Sequence, residues 1–251
     1  MKTIFYCLWM IGCLSNCIQK RPIQSKSETW AETVIQSCIQ TSTNSVCLPY
    51  IEQLCAHLQK DEDNQPNPEY WGGVAYHMPF FIEAIQRIKP SKAQVFLDVG
   101  SGNGEKLFAS LCLGFEQAIG IEYNPELVKM SQQNFPQLHQ KQKLHTYQGD
   151  ALTIDPRLFG KADFIYLYSP IKNDRKMAQL LERVMCHMKN GAIILEVNAY
   201  YCKALQQVSH LAFPKLQDGW LAIKKEARKY FVAQTFYNQG AEWLPLTPKS
   251  K

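Results

Sequence analysis

Three glycines at alternating positions mark the stretch of this chain best suited to chemistry. Val95-Phe-Leu-Asp-Val-Gly-Ser-Gly-Asn-Gly-Glu105 runs from an apolar segment through Asp98 into Gly100, Gly102 and Gly104, with Ser101 and Asn103 between them. Glycine lets a backbone turn sharply and approach a ligand closely. A glycine turn at the carboxyl end of a buried strand sits where doubly wound sheets bind their ligands. The dinucleotide fingerprint requires G-x-G-x-x-G, and here Glu105 occupies its third glycine position, where a carboxylate opposes a pyrophosphate. The spacing therefore disfavours a nucleotide-dependent oxidoreductase and suits a ligand without phosphate.

Three further segments place reactive groups behind apolar runs. Ala118-Ile-Gly-Ile-Glu-Tyr-Asn-Pro125 ends in Glu122 and Tyr123. A carboxylate accepts from both hydroxyls of a ribose diol better than a neutral group does, although Glu122 taken alone reads as a surface carboxylate at a strand end. Tyr147-Gln-Gly-Asp-Ala151 ends in Asp150 and Ala151, where the aspartate either binds a ligand or caps a turn. Lys161-Ala-Asp-Phe-Ile-Tyr-Leu-Tyr-Ser-Pro-Ile171 carries Asp163 at its start and Tyr168, Ser169 and Pro170 at its end.

The elements that must position these groups follow from periodicity. Helices are expected over 74–88, 105–113, 125–134, 175–188 and 201–211. Strands are expected over 94–99, 117–122, 144–148, 162–168, 192–197, 220–224 and 230–236. Strands separated by helices make a parallel sheet covered on both faces. The fold class is α/β, a three-layer α-β-α Rossmann-like sandwich with a seven-strand, mostly parallel sheet and an antiparallel final strand. Every segment named above then ends on one carboxyl edge, and Asp163 lies at the opposite edge.

The glycine segment carries a resemblance. D-x-G-x-G-x-G after an apolar strand is the first motif of class I, seven-β-strand methyltransferases that use S-adenosyl-L-methionine, and Asp98-Val-Gly-Ser-Gly-Asn-Gly104 matches it at every position. The resemblance implies that the loop from Gly100 to Gly104, including Ser101 and Asn103, contacts the methionine end of the cofactor. It implies that Asp98 orients that end or its amino group, that Glu122 binds the ribose and that Tyr123 stacks near the adenine. Asp150 would accept from the adenine amino group, with the Ala151 N–H facing the ring. Tyr168 and Ser169 would lie near the transferable methyl.

The acceptor is less legible. Enzymes that methylate nucleic-acid amino groups carry D/N/S-P-P-aromatic here, and Ser169-Pro170-Ile171 lacks the second proline and the aromatic. The layout from about 70 to 200 resembles the non-SET protein-lysine methyltransferases, on Trp71-Gly-Gly-Val-Ala-Tyr76 and on the aromatic end of the fourth strand. That implies a protein lysine side chain as acceptor. A small-molecule acceptor and a non-catalytic cofactor-binding module of the same fold stay open. The sulfonium is already an activated donor, so the protein must mainly align the nucleophile and exclude water. Tyr76 and Tyr168 would wall a channel that favours a neutral amine by desolvation, or are packing aromatics.

Composition sets the outer limits. The 251 residues are 46% hydrophobic and 20% charged, with a net charge of +5, ordinary for a globular domain and without an arginine-rich tract or nucleic-acid motif. Nine cysteines include no CxxC pair, which argues against structural zinc. Outside a leader they are small buried hydrophobes, or, if the chain is exported, Cys38, Cys47 and Cys55 are disulfide candidates. Residues 1–17 read as a signal or lipoprotein leader, with Cys13 or Cys17 as the acylation point of a membrane tether. The alternatives are an upstream start codon and an apolar helix docked on the domain, so the site of action is cytoplasmic or membrane-anchored. Residues 18–68 form a polar linker and a helical extension, and 69–251 the catalytic domain.

Overall fold

The computed structural model describes residues 33–36, 38, 39, 51, 70, 78–197, 201–215, 219–233 and 242–249. The leader, the polar linker, the Trp71–Tyr76 motif, Cys47 and Cys55 lie outside them. No helix among the described residues is long and apolar enough to cross a membrane.

The sheet begins with β1 (Val95–Val99), β2 (Gln117–Glu122), β3 (Leu144–Gln148), β4 (Phe164–Leu167) and β5 (Ile193–Glu196). They lie in the order β3-β2-β1-β4-β5, and every pairing among them is parallel. That order places β1 beside the point where the chain reverses direction across the sheet, the position at which such folds bind ligands. The side chains alternate faces. Phe96, Phe164 and Tyr166 join one core layer and Leu97, Ile165 and Leu167 the other. Both faces of β1, β4 and β5 are buried, which is why those strands read as near-continuous apolar runs.

The first face is covered by α1 (Met78–Ile88), α2 (Glu105–Cys112), α3 (Pro125–Asn134) and α4 (Pro136–Gln140). Phe81 of α1 meets Tyr166 edge-on at 5.1 Å. Cys38 and Ile51, both buried, belong to the same core layer, so the described part of the N-terminal extension joins the first-face core. The second face is covered by α5 (Arg157–Lys161), α6 (Asp174–His187) and α7 (Cys202–Val208). Side chains of Asn124 and Asn173 cap α3 and α6 by accepting from the N–H groups of Glu126 and Lys176, as N-cap asparagines do.

The far half of the sheet departs from expectation. There are nine strands among the described residues where seven are expected. Beyond β5 come β7 (Leu221–Glu226), β8 (Lys229–Ala233), β9 (Leu244–Pro248) and the two-residue β6 (Leu211–Ala212), each antiparallel to its neighbour. The helix expected over 201–211 stops at Val208 and the chain turns at Ser209 into β6. β9 escapes detection because Pro245 and Pro248 argue against a strand; its place near the sheet's edge tolerates them. Of the domain cysteines, Cys112 and Cys202 are buried as expected, but Cys186 is exposed, because it falls on the outer side of α6.

Candidate functional site

The register aligns the strand ends. Val99 pairs with Ile121 and Leu167, Glu122 with Gln148, and Leu167 with Glu196. The glycine loop, Glu122, Asp150, Tyr168 and Ser169 therefore share one edge. Asp163 sits at the other edge, accepting from the N–H groups of Gln94 and Val95 and paired with Lys189 at 2.7 Å.

The glycine loop is built by both packing and backbone conformation. Gly100, Gly102 and Gly104 have φ of 88°, 55° and 90°, a region that favours glycine. The N–H groups of Gly100 and Ser101 donate to the Ile121 carbonyl at 2.8 and 3.2 Å, tying the loop to the end of β2. A methyl carbon on Gly100 would sit 2.9 Å from Pro170 Cβ, whereas one on Gly102 would meet nothing within 4 Å. Gly102 thus faces open space while Gly100 and Gly104 close against neighbours. Ser101 turns its side chain onto β2, where a Cβ on Gly120 would lie 2.7 Å from its own Cβ. Asn103 turns to the start of α2, its Oδ1 accepting from the Glu105 N–H at 3.3 Å.

Two carboxyl groups converge here. Glu122 is nearly buried. Its Oε2 accepts from the Gly102 N–H at 2.8 Å and its Oε1 from the Asn124 N–H at 2.9 Å. Burial pushes its carboxyl above the ordinary range, against the pull of those N–H groups and of Lys106. Asp98 is 1% exposed. Burial raises its carboxyl to about 7, with Lys106 opposing and Glu122 adding to the rise. Its Oδ2 has no hydrogen-bond partner among the described residues. A buried, unpartnered carboxylate oxygen is costly unless something pairs with it.

The remaining expected residues are placed less simply. Tyr123 is 47% exposed and stacks on Tyr70 with centroids 4.2 Å apart. Asp150 acts as a turn cap, its Oδ1 accepting from the Leu152 N–H at 2.9 Å. It still lies at the site, because the Gly149 N–H donates to the Glu122 carbonyl. Ala151 packs on the core of the second face and Tyr168 on that of the first. Ser169 donates its hydroxyl to Glu196 Oε1 at 2.9 Å. Tyr76 lies outside the described residues.

Sequence reading misses Tyr70, Gly120 and Glu196. Tyr70 is found only through its stack. Glu196 had a visible signal: a carboxylate closing the apolar run Ile193-Ile-Leu-Glu196, the same pattern that marks Asp98 and Glu122. The site as placed fits an S-adenosylmethionine molecule. The orphaned Asp98 oxygen suits its ammonium group, the open face at Gly102 admits a ligand, and the Glu122 oxygens, which accept from the Gly102 and Asn124 N–H groups, retain lone pairs for a diol.

Residues 82–216 match the model of a family described as conserved hypothetical protein 95. No curated protein matches the chain. Among solved structures, the chain is similar to an RNA methyltransferase from Salinibacter ruber in complex with S-adenosyl-L-homocysteine (21% identity, 49% of this chain and 76% of that one, TM-score 0.40). It is also similar to an S-adenosylmethionine-dependent methyltransferase from Clostridium acetobutylicum (17%, 69% and 73%, TM-score 0.38). A third is the S-adenosylmethionine-dependent methyltransferase from Thiobacillus denitrificans in complex with S-adenosyl-L-homocysteine (16%, 48% and 48%, TM-score 0.39); this chain spans about half its length.

Proposed function

We infer that this chain, which belongs to the conserved hypothetical protein 95 family, is a methyltransferase that binds S-adenosyl-L-methionine at the carboxyl edge of β1 and β2. One observation carries the reading: the Asp98 carboxyl, its buried Oδ2 without a hydrogen-bond partner among the described residues, and the Gly102-bound Glu122 carboxyl flank a glycine loop whose middle residue faces open space.

When bound, the cofactor supplies a methyl group already activated by its sulfonium. The residues of the chain have the tasks of binding, orienting and excluding water. Asp98 pairs with the ammonium of the methionine end, which lowers its pKa and removes the cost of its burial. Glu122 accepts from the ribose diol. Tyr123 and Tyr70 wall the adenine side, and Asp150 offers its second oxygen to the adenine amino group beside the Ala151 N–H. Tyr168 lines the acceptor side, with Tyr76 as its candidate partner.

The reading stops at the donor. A protein lysine acceptor, expected from the resemblance, draws no support from the comparisons, whose descriptions name RNA and oxygen acceptors for other proteins. Calorimetric titration with S-adenosylhomocysteine and with NAD tests the cofactor; binding of the first alone is expected, and binding of NAD alone or of neither overturns the reading. A radiolabelled methyl-transfer screen against protein, RNA and small-molecule fractions then identifies the acceptor. Tight S-adenosylhomocysteine binding with no transfer to any fraction would favour a non-catalytic module.

A further inference from the structure

We propose that Glu196 is a positioning residue of this site: its buried carboxyl holds Ser169 in a left-handed turn and so seats the loop after β4 against the glycine loop. The proposal rests on the reading of that edge as a cofactor site.

Glu196 closes β5, paired with Leu167 on β4 and Leu221 on β7, and is 0% exposed. A carboxyl in that place needs partners. Its Oε1 accepts from both the Ser169 N–H at 3.0 Å and the Ser169 hydroxyl at 2.9 Å, while its Oε2 and the buried Tyr201 hydroxyl have no hydrogen-bond partner among the described residues. Ser169 has φ of 37°, a conformation that non-glycine residues adopt only when their surroundings impose it. The proline that follows narrows its choices further. Two bonds to one buried oxygen hold it there, with the hydroxyl also 3.3 Å from the Val197 carbonyl.

The consequence runs outward along three residues. Pro170 lands against Gly100, so close that a Cβ there would be 2.9 Å away. Buried Ile171 bridges to Tyr70, and Tyr70 stacks on Tyr123. Glu196 thereby sets the position of the loop that faces the glycine turn and, through Tyr70, of the aromatic wall beside Glu122. Burial pushes the Glu196 carboxyl well above the ordinary range, and a glutamine in its place keeps an acceptor oxygen for Ser169.

The test compares S-adenosylhomocysteine affinity by calorimetry and amide hydrogen exchange of residues 168–172. Glu196→Leu removes the acceptor at similar volume and is expected to weaken binding about tenfold and to speed exchange about tenfold. Glu196→Gln is expected to stay within about threefold of the parent in both readouts, because it keeps the acceptor. Glycine adopts the left-handed turn without a clamp, so Ser169→Gly in the Glu196→Leu background is expected to restore most of the affinity, which general damage to the fold would not allow. Unchanged binding and exchange in Glu196→Leu, or failure of the glycine to restore affinity, overturns the proposal. If the leucine variant does not fold, Ser169→Ala decides: about threefold weaker binding and faster exchange support the latch, and parental values overturn it. Exchange reads the latch even if the parent protein fails to bind S-adenosylhomocysteine, a result that would sink the cofactor reading by itself.

Discussion

Glu122 serves two tasks at once, and this changes what its removal does. As a ligand group it offers lone pairs to a diol. As a structural group it accepts from the N–H groups of Gly102 and Asn124, holding the glycine loop to the end of β2. Glu122→Ala is therefore expected to weaken S-adenosylhomocysteine binding and also to destabilise the ligand-free protein by roughly 1–3 kcal/mol, since two backbone donors lose their acceptor. Denaturant unfolding beside calorimetry checks this; unaltered stability would mean that the loop does not depend on Glu122. The residue scale is also where the sequence was most informative. Asp98, Glu122 and the three glycines stand out because a charge or a glycine run interrupts an apolar strand. Ser101 and Asn103 were legible as loop members, but not in orientation: one faces Gly120 and the other Glu105. Tyr70 was not legible at all, because a stacking partner across a long separation leaves no local trace.

At the scale of elements, β1, β4 and β5 were legible because strands buried on both faces are largely apolar, whereas the half-exposed β3, Leu144-His-Thr-Tyr-Gln148, has no such run. The short α4 and α5 were not, five residues being too few for a 3.6-residue period to register. What periodicity could not reveal is how closely loop and strand meet. Gly120 lies in the middle of β2, paired with Asp98 on β1 and Thr146 on β3. A methyl group on it would sit 2.7 Å from Ser101 Cβ and 2.9 Å from Leu107 Cδ1. The absence of a side chain is what lets the glycine loop and α2 fold down onto the sheet. Gly120→Ala is expected to cost about 1–3 kcal/mol by overpacking and to displace the loop, weakening S-adenosylhomocysteine binding. Ser101→Gly in the same chain relieves one of the two close approaches and is expected to recover part of that affinity. Wild-type affinity in Gly120→Ala would show that the loop tolerates the displacement and that β2 does not set its height.

For the molecule as a whole, one liability is concentrated in the parallel half of the sheet. The parallel half carries Asp98 and Glu122 and its last strand Glu196, all buried at one edge and all with carboxyls raised by burial. The antiparallel half, which completes the second face through Leu221, Ile223, Val232 and Leu246, supplies apolar burial and none of these acids. Folding therefore stabilises the protonated form of all three. The unfolded chain releases an aspartate proton near 3.8, whereas folded Asp98 keeps its proton until about 7. Between those values the folded state binds more protons, so stability falls as pH rises through that window and stays lower above it. The shift at Asp98 alone corresponds to a loss on the order of 4 kcal/mol. Asp163 works in the opposite sense. Its burial pushes its carboxyl upward, but Lys189 and the N–H groups of Val95 and Gln94 outweigh that and hold it below the ordinary range. Its contribution is lost only as pH falls through that lowered range, outside the Asp98 window. The ligand-free protein is thus expected to lose thermal stability between pH 5 and pH 7. Asp98→Asn removes the titration while keeping the shape, so that variant is expected to show a shallower fall and to be the more stable protein at pH 8. It is also expected to bind S-adenosylhomocysteine more weakly, because an amide offers no charge to the ammonium. Thermal unfolding of both proteins across the pH range, without ligand, reads the difference directly. Parallel curves for the two would remove Asp98 as the source of the pH dependence, whereas a gain in stability bought with a loss of affinity is what a binding carboxylate held at a folding cost must show.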